Sequence, residues 1–320
     1  MAEIGSDISK AKTILQNGGL VAIPTETVYG LAGNALDLDA VASIFSAKNR
    51  PSFDPLIVHV GSINEAKKYT LKWTEKAHTL AREFWPGPLT LLLEKRDSIP
   101  DLVTSGMQKV AIRVPSQKLT LDLLHVLDFP LVAPSANPFG YVSPTSPSHV
   151  NDQLGNKIPY ILNGGDCEIG LESTIVGFDT NDEPTIYRLG GLSVEQIESV
   201  IGKTHLTPHS SSNPQAPGML KSHYAPSVSI RLGNIEMNLK KFVSKDDVGI
   251  ISFNTQFKNV PEKNQLKLAP DNALNTAAKN LFSALRYMDT LKISTLLIEE
   301  VPDYGLGKAI NDRLRRAAAN

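Results

Sequence analysis

The stretch Leu20–Leu31, with the sequence LVAIPTETVYGL, decides the first strand of the fold and the first candidate site. Its apolar beginning, Leu20–Ile23, predicts a short strand that Pro24 closes, because proline has no backbone N–H for the strand ladder. The hydroxyl-rich continuation Pro24–Gly30 then lies at a strand end, where side chains are exposed. An ordinary capped turn has the same composition, so this segment alone leaves both interpretations open.

Helices and short strands occur on both sides of this stretch. Ser6-Asp7 can cap a helix that Gly18-Gly19 end. Further strands are predicted at Leu56–Val60, Leu89–Glu94, Val110–Val114, Pro130–Ala133, Tyr160–Leu162, Ser173–Gly177 and Thr185–Leu189, and helices at Leu38–Ala47, Asn64–Tyr69, Thr74–Phe84, Lys118–Leu127 and Val194–Ile201. This order predicts an α/β domain of about 200 residues with a mixed sheet rather than a regular βαβ repeat.

The composition changes abruptly at Thr204–Pro226, which is crowded with Ser, Pro and His and is typical of a linker. The pattern then restarts with strands at Val228–Leu232, Val248–Phe253, Leu266–Ala269 and Ser294–Glu299, and helices at Met237–Val243, Leu274–Leu291 and Lys308–Ala318. We therefore predict a first domain at 1–203, a linker at 204–226 and a small α/β domain at 227–320.

Composition excludes several classes of protein. The chain has 32 Lys and Arg residues and 33 Asp and Glu residues, which gives a net charge of −1. This balance argues against nucleic-acid binding as the main role. The single cysteine allows no disulfide within the chain and no C-x-x-C metal pair. The start has no signal-peptide pattern, and the apolar runs fall far short of the roughly 20 residues that span a bilayer. We expect a cytoplasmic protein that does not interact with membranes.

The common nucleotide-binding motifs are absent from the sequence. Gly202-Lys203-Thr204 resembles the end of a phosphate-binding loop, but Ile197 stands where the first glycine belongs and the segment follows a helix. No G-x-G-x-x-G opens a helix after a strand, and no H-x-x-x-H pair suggests a zinc hydrolase. A nucleotide site in this chain must be of another type.

Cationic and hydroxyl side chains recur at predicted element ends. Lys48-Asn49-Arg50-Pro51 ends a helix, where basic residues commonly complement the helix dipole; Lys48 and Arg50 can face one anion only if the chain leaves the helix between them. Arg113 lies within an apolar strand, on the face opposite Ile112 and Val114. The loops Ala133-Pro134-Ser135-Ala136-Asn137 and Glu172-Ser173-Thr174 adjoin other strands. Together these residues would suit a polyphosphate and a small zwitterion.

Seven motifs in fixed order give a specific resemblance. They are Pro24–Gly30 (PTETVYG), Lys48–Pro51 (KNRP), Pro55–His59 (PLIVH), Trp85–Thr90 (WPGPLT), Ala111–Arg113 (AIR), Ala133–Asn137 (APSAN) and Glu172–Val176 (ESTIV). The chain resembles the threonylcarbamoyl-adenylate synthase family, whose catalytic unit is a YrdC-like domain. The later stretches Pro217–Pro226 and Gly305–Leu314 are similar to the two-domain type of that family.

The resemblance implies a fold and a set of site residues. The fold would be a YrdC-like twisted, open mixed sheet with helices and a concave positive cavity, followed by a small Rossmann-like α/β domain. Lys48 and Arg50 would be the catalytic cations. Threonine would be bound by Thr27, His59, Arg113, Ala133 (main chain) and Ser173, and ATP by Arg50, Asp54, Lys109, Ser135, Ser143, Arg188 and Tyr224. Asp54 and Lys109 depart from residues common in the family, so Lys109 is expected to act as a direct phosphate cation.

The resemblance also implies a reaction. L-threonine, bicarbonate and ATP would give threonylcarbamoyl-adenylate and pyrophosphate, with Mg²⁺ on the triphosphate and no metal ligated directly by a side chain. Fixed positive charge would offset the repulsion between anionic reactants. No covalent enzyme intermediate is expected, because the set contains no evident nucleophile. Either His59 or Thr27 would recognise the threonine hydroxyl, and the linker would fold back as a lid. A separate transferase would pass the group to the adenosine beside the anticodon of certain tRNAs.

Two other classes of function remain open from the sequence. YrdC-like domains present a concave basic surface, so the chain could be a double-stranded RNA-binding module, and a weak RNA contact stays an expectation. Alternatively, the C-terminal domain could be the functional element of a regulatory module. A simpler role for that domain is a structural clamp that orders the linker.

Overall fold

The computed structural model of the chain describes residues 1–207, 216–217 and 224–319. Its strands are β1 (Glu3–Gly5), β2 (Val21–Ile23), β3 (Gly30–Asn34), β4 (Ile57–His59), β5 (Leu89–Glu94), β6 (Lys109–Arg113), β7 (Leu131–Val132), β8 (Tyr160–Leu162), β9 (Thr174–Phe178), β10 (Pro184–Arg188), β11 (His205–Leu206), β12 (Ser229–Leu232), β13 (Val248–Ser252), β14 (Gln265–Lys267) and β15 (Thr295–Ile298). Its α-helices are α1 (Ile8–Gln16), α2 (Leu38–Lys48), α3 (Ile63–Tyr69), α4 (Glu75–Phe84), α5 (Asp101–Thr104), α6 (Lys118–Val126), α7 (Pro147–Leu154), α8 (Val194–Ile201), α9 (Ile235–Leu239), α10 (Leu274–Thr290) and α11 (Gly307–Ala317).

Two sheets organise the described residues. The larger has the order β1-β8-β2-β3-β7-β4-β6-β5-β9-β10-β11 and mixes parallel with antiparallel pairs. The smaller has the order β12-β15-β13-β14 and is parallel throughout, so its connections must cross over. These sheets confirm the predicted α/β fold class, with a large mixed sheet and a small α/β domain.

The chain also divides into two compact units. The first contains Met1–Phe139, Ser143–Glu168 and Glu172–Leu220, and the second contains Gly140–Val142, Ile169–Leu171 and Lys221–Asn320. Both short pieces of the second unit lie within the predicted first domain, 1–203, so the division differs from the predicted one. Residues 208–215 and 218–223 of the predicted linker lie outside the described residues.

The main apolar cluster of the first unit lies on one face of its central strands. Val58, Leu91, Val110 and Ile112 point into the main apolar cluster, as strand alternation requires. The opposite face therefore carries the neighbours of these residues along each strand. Among the described helices, none is long and apolar enough to cross a membrane.

Candidate functional site

Five strands bring polar side chains to one edge of the large sheet. His59 ends β4 and Arg113 ends β6, and the parallel register places these two residues side by side. Thr90 near the start of β5, Ser173 just before β9 and Arg188 at the end of β10 reach the same edge, because β5 runs antiparallel to β6 and β10 antiparallel to β9. All five side chains are buried.

Arg113 is held in place by two residues of the opening stretch. Its Nη2 donates to Glu26 Oε1 over 2.6 Å, and its Nη1 donates to Thr27 Oγ1 over 3.0 Å. Glu26 also accepts from the backbone N–H of Ser116. The Nε of Arg113 is buried and makes no hydrogen bond within the described residues, although such donors are almost always satisfied in proteins. This arginine therefore has capacity left for an acceptor.

His59 is neutral and has a defined tautomer. Burial and the adjacent Arg113 lower the pKa of His59 to about 3, while its contact with Ile57 opposes this shift. Nδ1 lies 3.1 Å from the carbonyl oxygen of Ile57, which can only accept, so Nδ1 carries the proton. Nε2 is then a hydrogen-bond acceptor.

The Thr27 hydroxyl is already engaged in hydrogen bonds with its neighbours. Thr25 Oγ1 donates to the carbonyl of Val28, and the Thr25 and Thr27 hydroxyls are 2.6 Å apart. Because the hydrogen of Thr25 is already used, Thr27 must donate to Thr25 while accepting from Arg113. Thr27 can therefore accept one further hydrogen bond but has no proton left to give.

The end of α2 turns sharply, which directs its two cations to different neighbours. Asn49 adopts a left-handed conformation (φ 52°), so the chain leaves the helix between Lys48 and Arg50, which is the condition for both to face one anion. Lys48 is buried, and its Nζ donates to the backbone carbonyls of Ser135 and Asn137. Burial, and secondly the charge of Arg50, hold the pKa of Lys48 well below its usual range.

Arg50 binds the loop that precedes β4. Its Nε donates to the carbonyl of Asp54 over 3.0 Å and its Nη2 to that of Pro55 over 2.8 Å. Nη2 also lies 2.9 Å from Asp54 Oδ2, at an angle that makes an ion pair but not a hydrogen bond. Asp54 is fully buried, so its carboxylate depends on Arg50 for compensation.

Ser173 and Ser143 belong to a second hydrogen-bonded group. Arg188 Nη2 donates to both the carbonyl and the Oγ of Ser173 at 3.0 Å, and Thr90 Oγ1 lies 2.7 Å from the same hydroxyl. Ser143 Oγ donates to Glu172 Oε1 over 2.6 Å. Ala133 is buried, and its N–H donates to the carbonyl of Ile57, which fixes the β7 end beside β4.

An apolar patch beside these groups is contacted by Ala216 of the predicted linker. Ile57, Leu92, Ala111 and Ile175 form the site face of the sheet, and Ala216 packs on them with no exposed surface. The carbonyl of the next residue, Pro217, accepts from Arg188 Nη1 over 3.3 Å. Both contacts lie within the first unit.

Two further residues predicted to bind ATP are Lys109 and Tyr224. Lys109 begins β6, at the end opposite Arg113, and its Nζ donates to the carbonyl of Phe178 over 2.6 Å. Tyr224 belongs to the second unit, where its ring stacks on Phe282 and lies beneath the guanidinium groups of Arg313 and Arg316. Their predicted roles in binding ATP stay predictions.

Sequence reasoning missed Glu26 and Thr90, which hold Arg113 and Ser173 respectively. Glu26 stood within the quoted stretch, and its carboxylate among hydroxyls was a usable signal. Its partner, however, is 87 positions away. As for metals, the described residues contain no group of three His, Cys, Asp or Glu side chains that could hold an ion.

Two family models match successive parts of the chain. One, described as "Telomere recombination", matches residues 13–190. The other, described as "Threonylcarbamoyl-AMP synthase, C-terminal domain", matches residues 192–319. Together they extend over both compact units.

Curated relatives are similar over almost the full length. A threonylcarbamoyl-AMP synthase of Pyrococcus abyssi is 40% identical over 318 residues, which cover 96% of this chain and 93% of the relative. One of Bacillus subtilis is 40% identical over 323 residues, with 97% and 92% covered. The crystal structure of P. abyssi Sua5 complexed with L-threonine matches with a TM-score of 0.90 at 37% identity, covering 99% of this chain and 97% of that one.

Proposed function

The chain belongs to the threonylcarbamoyl-AMP synthase family of enzymes, and we propose that it converts L-threonine, bicarbonate and ATP to threonylcarbamoyl-AMP and pyrophosphate. The observation that carries this proposal is the buried Arg113, positioned by Glu26 and Thr27 beside the neutral His59. A buried guanidinium with unused donor capacity suits a carboxylate. A neutral imidazole next to it suits a hydroxyl.

The threonine substrate would use these two groups together. Its carboxylate would bind Arg113, and its hydroxyl would donate to Nε2 of His59. Thr27 is the weaker candidate for the hydroxyl, because its own proton and one acceptor position are already engaged. Ser173 and the main chain at Ala133 complete the proposed amino-acid site. Valine would leave the buried Nε2 without a donor, which is the basis for selectivity.

ATP would bind next to the amino acid, with its phosphates toward Lys48 and Arg50. The threonine nitrogen attacks the carbon of bicarbonate, with loss of water, to form a carbamate. A carbamate oxygen then attacks the α-phosphorus and pyrophosphate leaves. Burial lowers the pKa of Lys48. The negative charge of a bound phosphate would favour the protonated form of Lys48, which would place positive charge beside the reacting phosphate. Arg50, Asp54, Lys109, Ser135, Ser143, Arg188 and Tyr224 remain the proposed contacts of ATP.

Mg²⁺ is proposed to arrive on the triphosphate. Within the described residues the acids of the site are already engaged, Glu26 with Arg113, Asp54 with Arg50 and Glu172 with Ser143, and no cluster of three ligands is present. Such an arrangement fits an ion held mainly by phosphate oxygens and water.

The product would be passed to a separate transferase that modifies tRNA beside the anticodon. Ala216 and Pro217, which cover the site face, are proposed to keep water from this hydrolysable product. A weak RNA contact also stays a prediction, and filter binding over a salt titration tests it, because a shallow slope means few phosphate contacts.

Pyrophosphate release tests the proposed activity directly. The full-length protein is incubated with threonine, bicarbonate and Mg-ATP, and each component is omitted in turn. Release that requires all of them, with threonylcarbamoyl-AMP seen by mass spectrometry, is the expected result. Release that does not depend on threonine would overturn the proposal, and a trapped acyl- or adenylyl-enzyme would overturn the mechanism without a covalent intermediate.

A further inference from the structure

Two loops leave the first unit and return to it beside site residues. The pieces Gly140–Val142 and Ile169–Leu171 belong to the second unit. The first piece is followed directly by Ser143, and the second by Glu172 and then Ser173. Ser143 and Glu172 are buried and hydrogen-bonded to each other, so both loops end at one bonded pair.

Helix α10 binds the first of these pieces through side chains. The Tyr141 hydroxyl donates to Asp289 Oδ2, and Arg286 Nη2 donates to the carbonyl of Val142. The guanidinium of Arg286 also lies over the Tyr141 ring, 5.2 Å from its centroid. Two successive residues of the loop are thus fixed by one side of a single helix, immediately before Ser143.

The second piece packs against the backbone of the same helix. Gly170 has φ +77°, and a Cβ built on it would lie 2.6 Å from the Cα of Lys279 and 2.7 Å from the carbonyl oxygen of Ala278. Real Cβ atoms essentially never approach so closely, and the conformation itself favours glycine. The loop can therefore lie on α10 only without a side chain at position 170.

We infer that α10 is a positioning element for the reaction, and that Tyr141, Asp289 and Gly170 are positioning residues. This inference rests on the proposed function. By fixing both loops, α10 holds the backbone that leads directly into Ser143 and into Glu172 and Ser173, and an error of about 1 Å in such a site costs on the order of a hundredfold in rate.

Gly170→Ala tests the backbone contact, and Gly165→Ala is its matched control. Gly165 also has φ +77° but nothing within 4 Å of a built Cβ, so both variants carry the same backbone strain and only one meets α10. In the full-length protein we expect Gly170→Ala to raise the KM of threonine and of ATP by tenfold or more relative to Gly165→Ala. A milder pair is Tyr141→Phe, which removes the hydroxyl that donates to Asp289, and Tyr287→Phe, which removes from α10 itself a hydroxyl that donates to the carbonyl of Lys263. Only Tyr141→Phe should raise the KM of ATP, by about fivefold.

The outcomes separate this inference from the proposed function. If the wild-type protein is active and both test variants match their controls in KM, the positioning role is overturned. If the wild type releases no threonine-dependent pyrophosphate, the proposed function fails. Whether α10 holds the two loops is then tested by hydrogen exchange of peptides over 140–143 and 169–173. Faster exchange in Gly170→Ala than in Gly165→Ala supports the inference, and equal exchange overturns it.

Discussion

Hydrogen bonds to neighbouring groups determine whether each residue of this site can donate or accept a hydrogen bond to a ligand. His59 cannot donate from Nε2, because its proton is on Nδ1 facing the carbonyl of Ile57. Thr27 cannot donate to a ligand, because its hydroxyl already donates a hydrogen bond to Thr25. Arg113, by contrast, can only donate. A ligand that presents one carboxylate and one hydroxyl matches this pattern, whereas the types of residue alone would not have revealed it.

Selectivity for threonine should depend on His59. In His59→Phe the ring remains but the acceptor is lost, so the threonine hydroxyl has no partner. We expect the preference for threonine over valine in pyrophosphate release to fall by at least tenfold, the equivalent of about 1–3 kcal/mol. His205→Phe, at an exposed position, is the control. An unchanged preference in His59→Phe would assign the recognition to another group.

His59 should also make stability depend on pH. Its pKa is about 3 in the folded protein against roughly 6.5 in an unfolded chain, so the unfolded state takes up the proton first as the pH falls. The contribution of His59 is therefore complete above about pH 6.5 and is lost progressively toward pH 3, by roughly 1 kcal/mol for each pH unit. Urea unfolding between pH 5 and 7 should show a shallower dependence for His59→Gln than for His205→Gln. Equal slopes would contradict a buried neutral His59.

At the scale of elements, much of the fold could be predicted from periodicity and caps. The predicted strands at Leu89–Glu94 and Tyr160–Leu162 have the observed bounds. β3 was missed because its sequence, GLAGN, is rich in residues that disfavour strands, and pairing with β2 and β7 forms it nonetheless. The predicted helix Met237–Val243 begins earlier and is shorter, as α9, because Asn234 caps it.

The site could be predicted only where a motif already marked it. Lys48, Arg50 and Arg113 stood out by type and position, but whether the chain leaves the helix between Lys48 and Arg50 stayed open in the sequence. The ion pair of Arg113 with Glu26 could not be read from the chain, because a contact over 87 positions is decided by sheet order. The loops held by α10 could not be predicted for the same reason.

The exit from α2 should depend on the left-handed residue at position 49. Asn49→Gly should leave the free energy of unfolding almost unchanged, whereas Asn49→Val should lower it by about 1–2 kcal/mol, because a β-branched residue is strained at φ 52°. Asn17 ends α1 with φ −89°, so Asn17→Val should show no such penalty. Equal losses at both positions, measured by urea unfolding, would mean that the backbone conformation of Asn49 is not what matters.

At the scale of the whole molecule, the segment after α8 is expected to protect the product. Ala216→Asp would bury a carboxylate against Ile57, Leu92 and Ala111, so the segment should leave the sheet. The share of AMP relative to threonylcarbamoyl-AMP among the products should then rise about tenfold. Truncation after Gly202 should do at least as much.

Thr207→Asp is the control for this prediction, because Thr207 is exposed in the same segment. Products are separated by chromatography and quantified. If Ala216→Asp and Thr207→Asp give the same ratio of AMP to threonylcarbamoyl-AMP, then the segment does not shield the product, and its contact with the sheet has another purpose.

The placement of Gly140–Val142 and Ile169–Leu171 in the second unit has a consequence for biosynthesis. Their partners on α10 extend as far as Asp289, more than a hundred positions later in the chain. At ordinary elongation rates a ribosome needs on the order of ten seconds to cover that distance. During this interval the nascent chain can already form the large sheet, but its two loops have nothing to dock on. We therefore expect adenylating activity to emerge only after residue 289 has been synthesised and has left the ribosome.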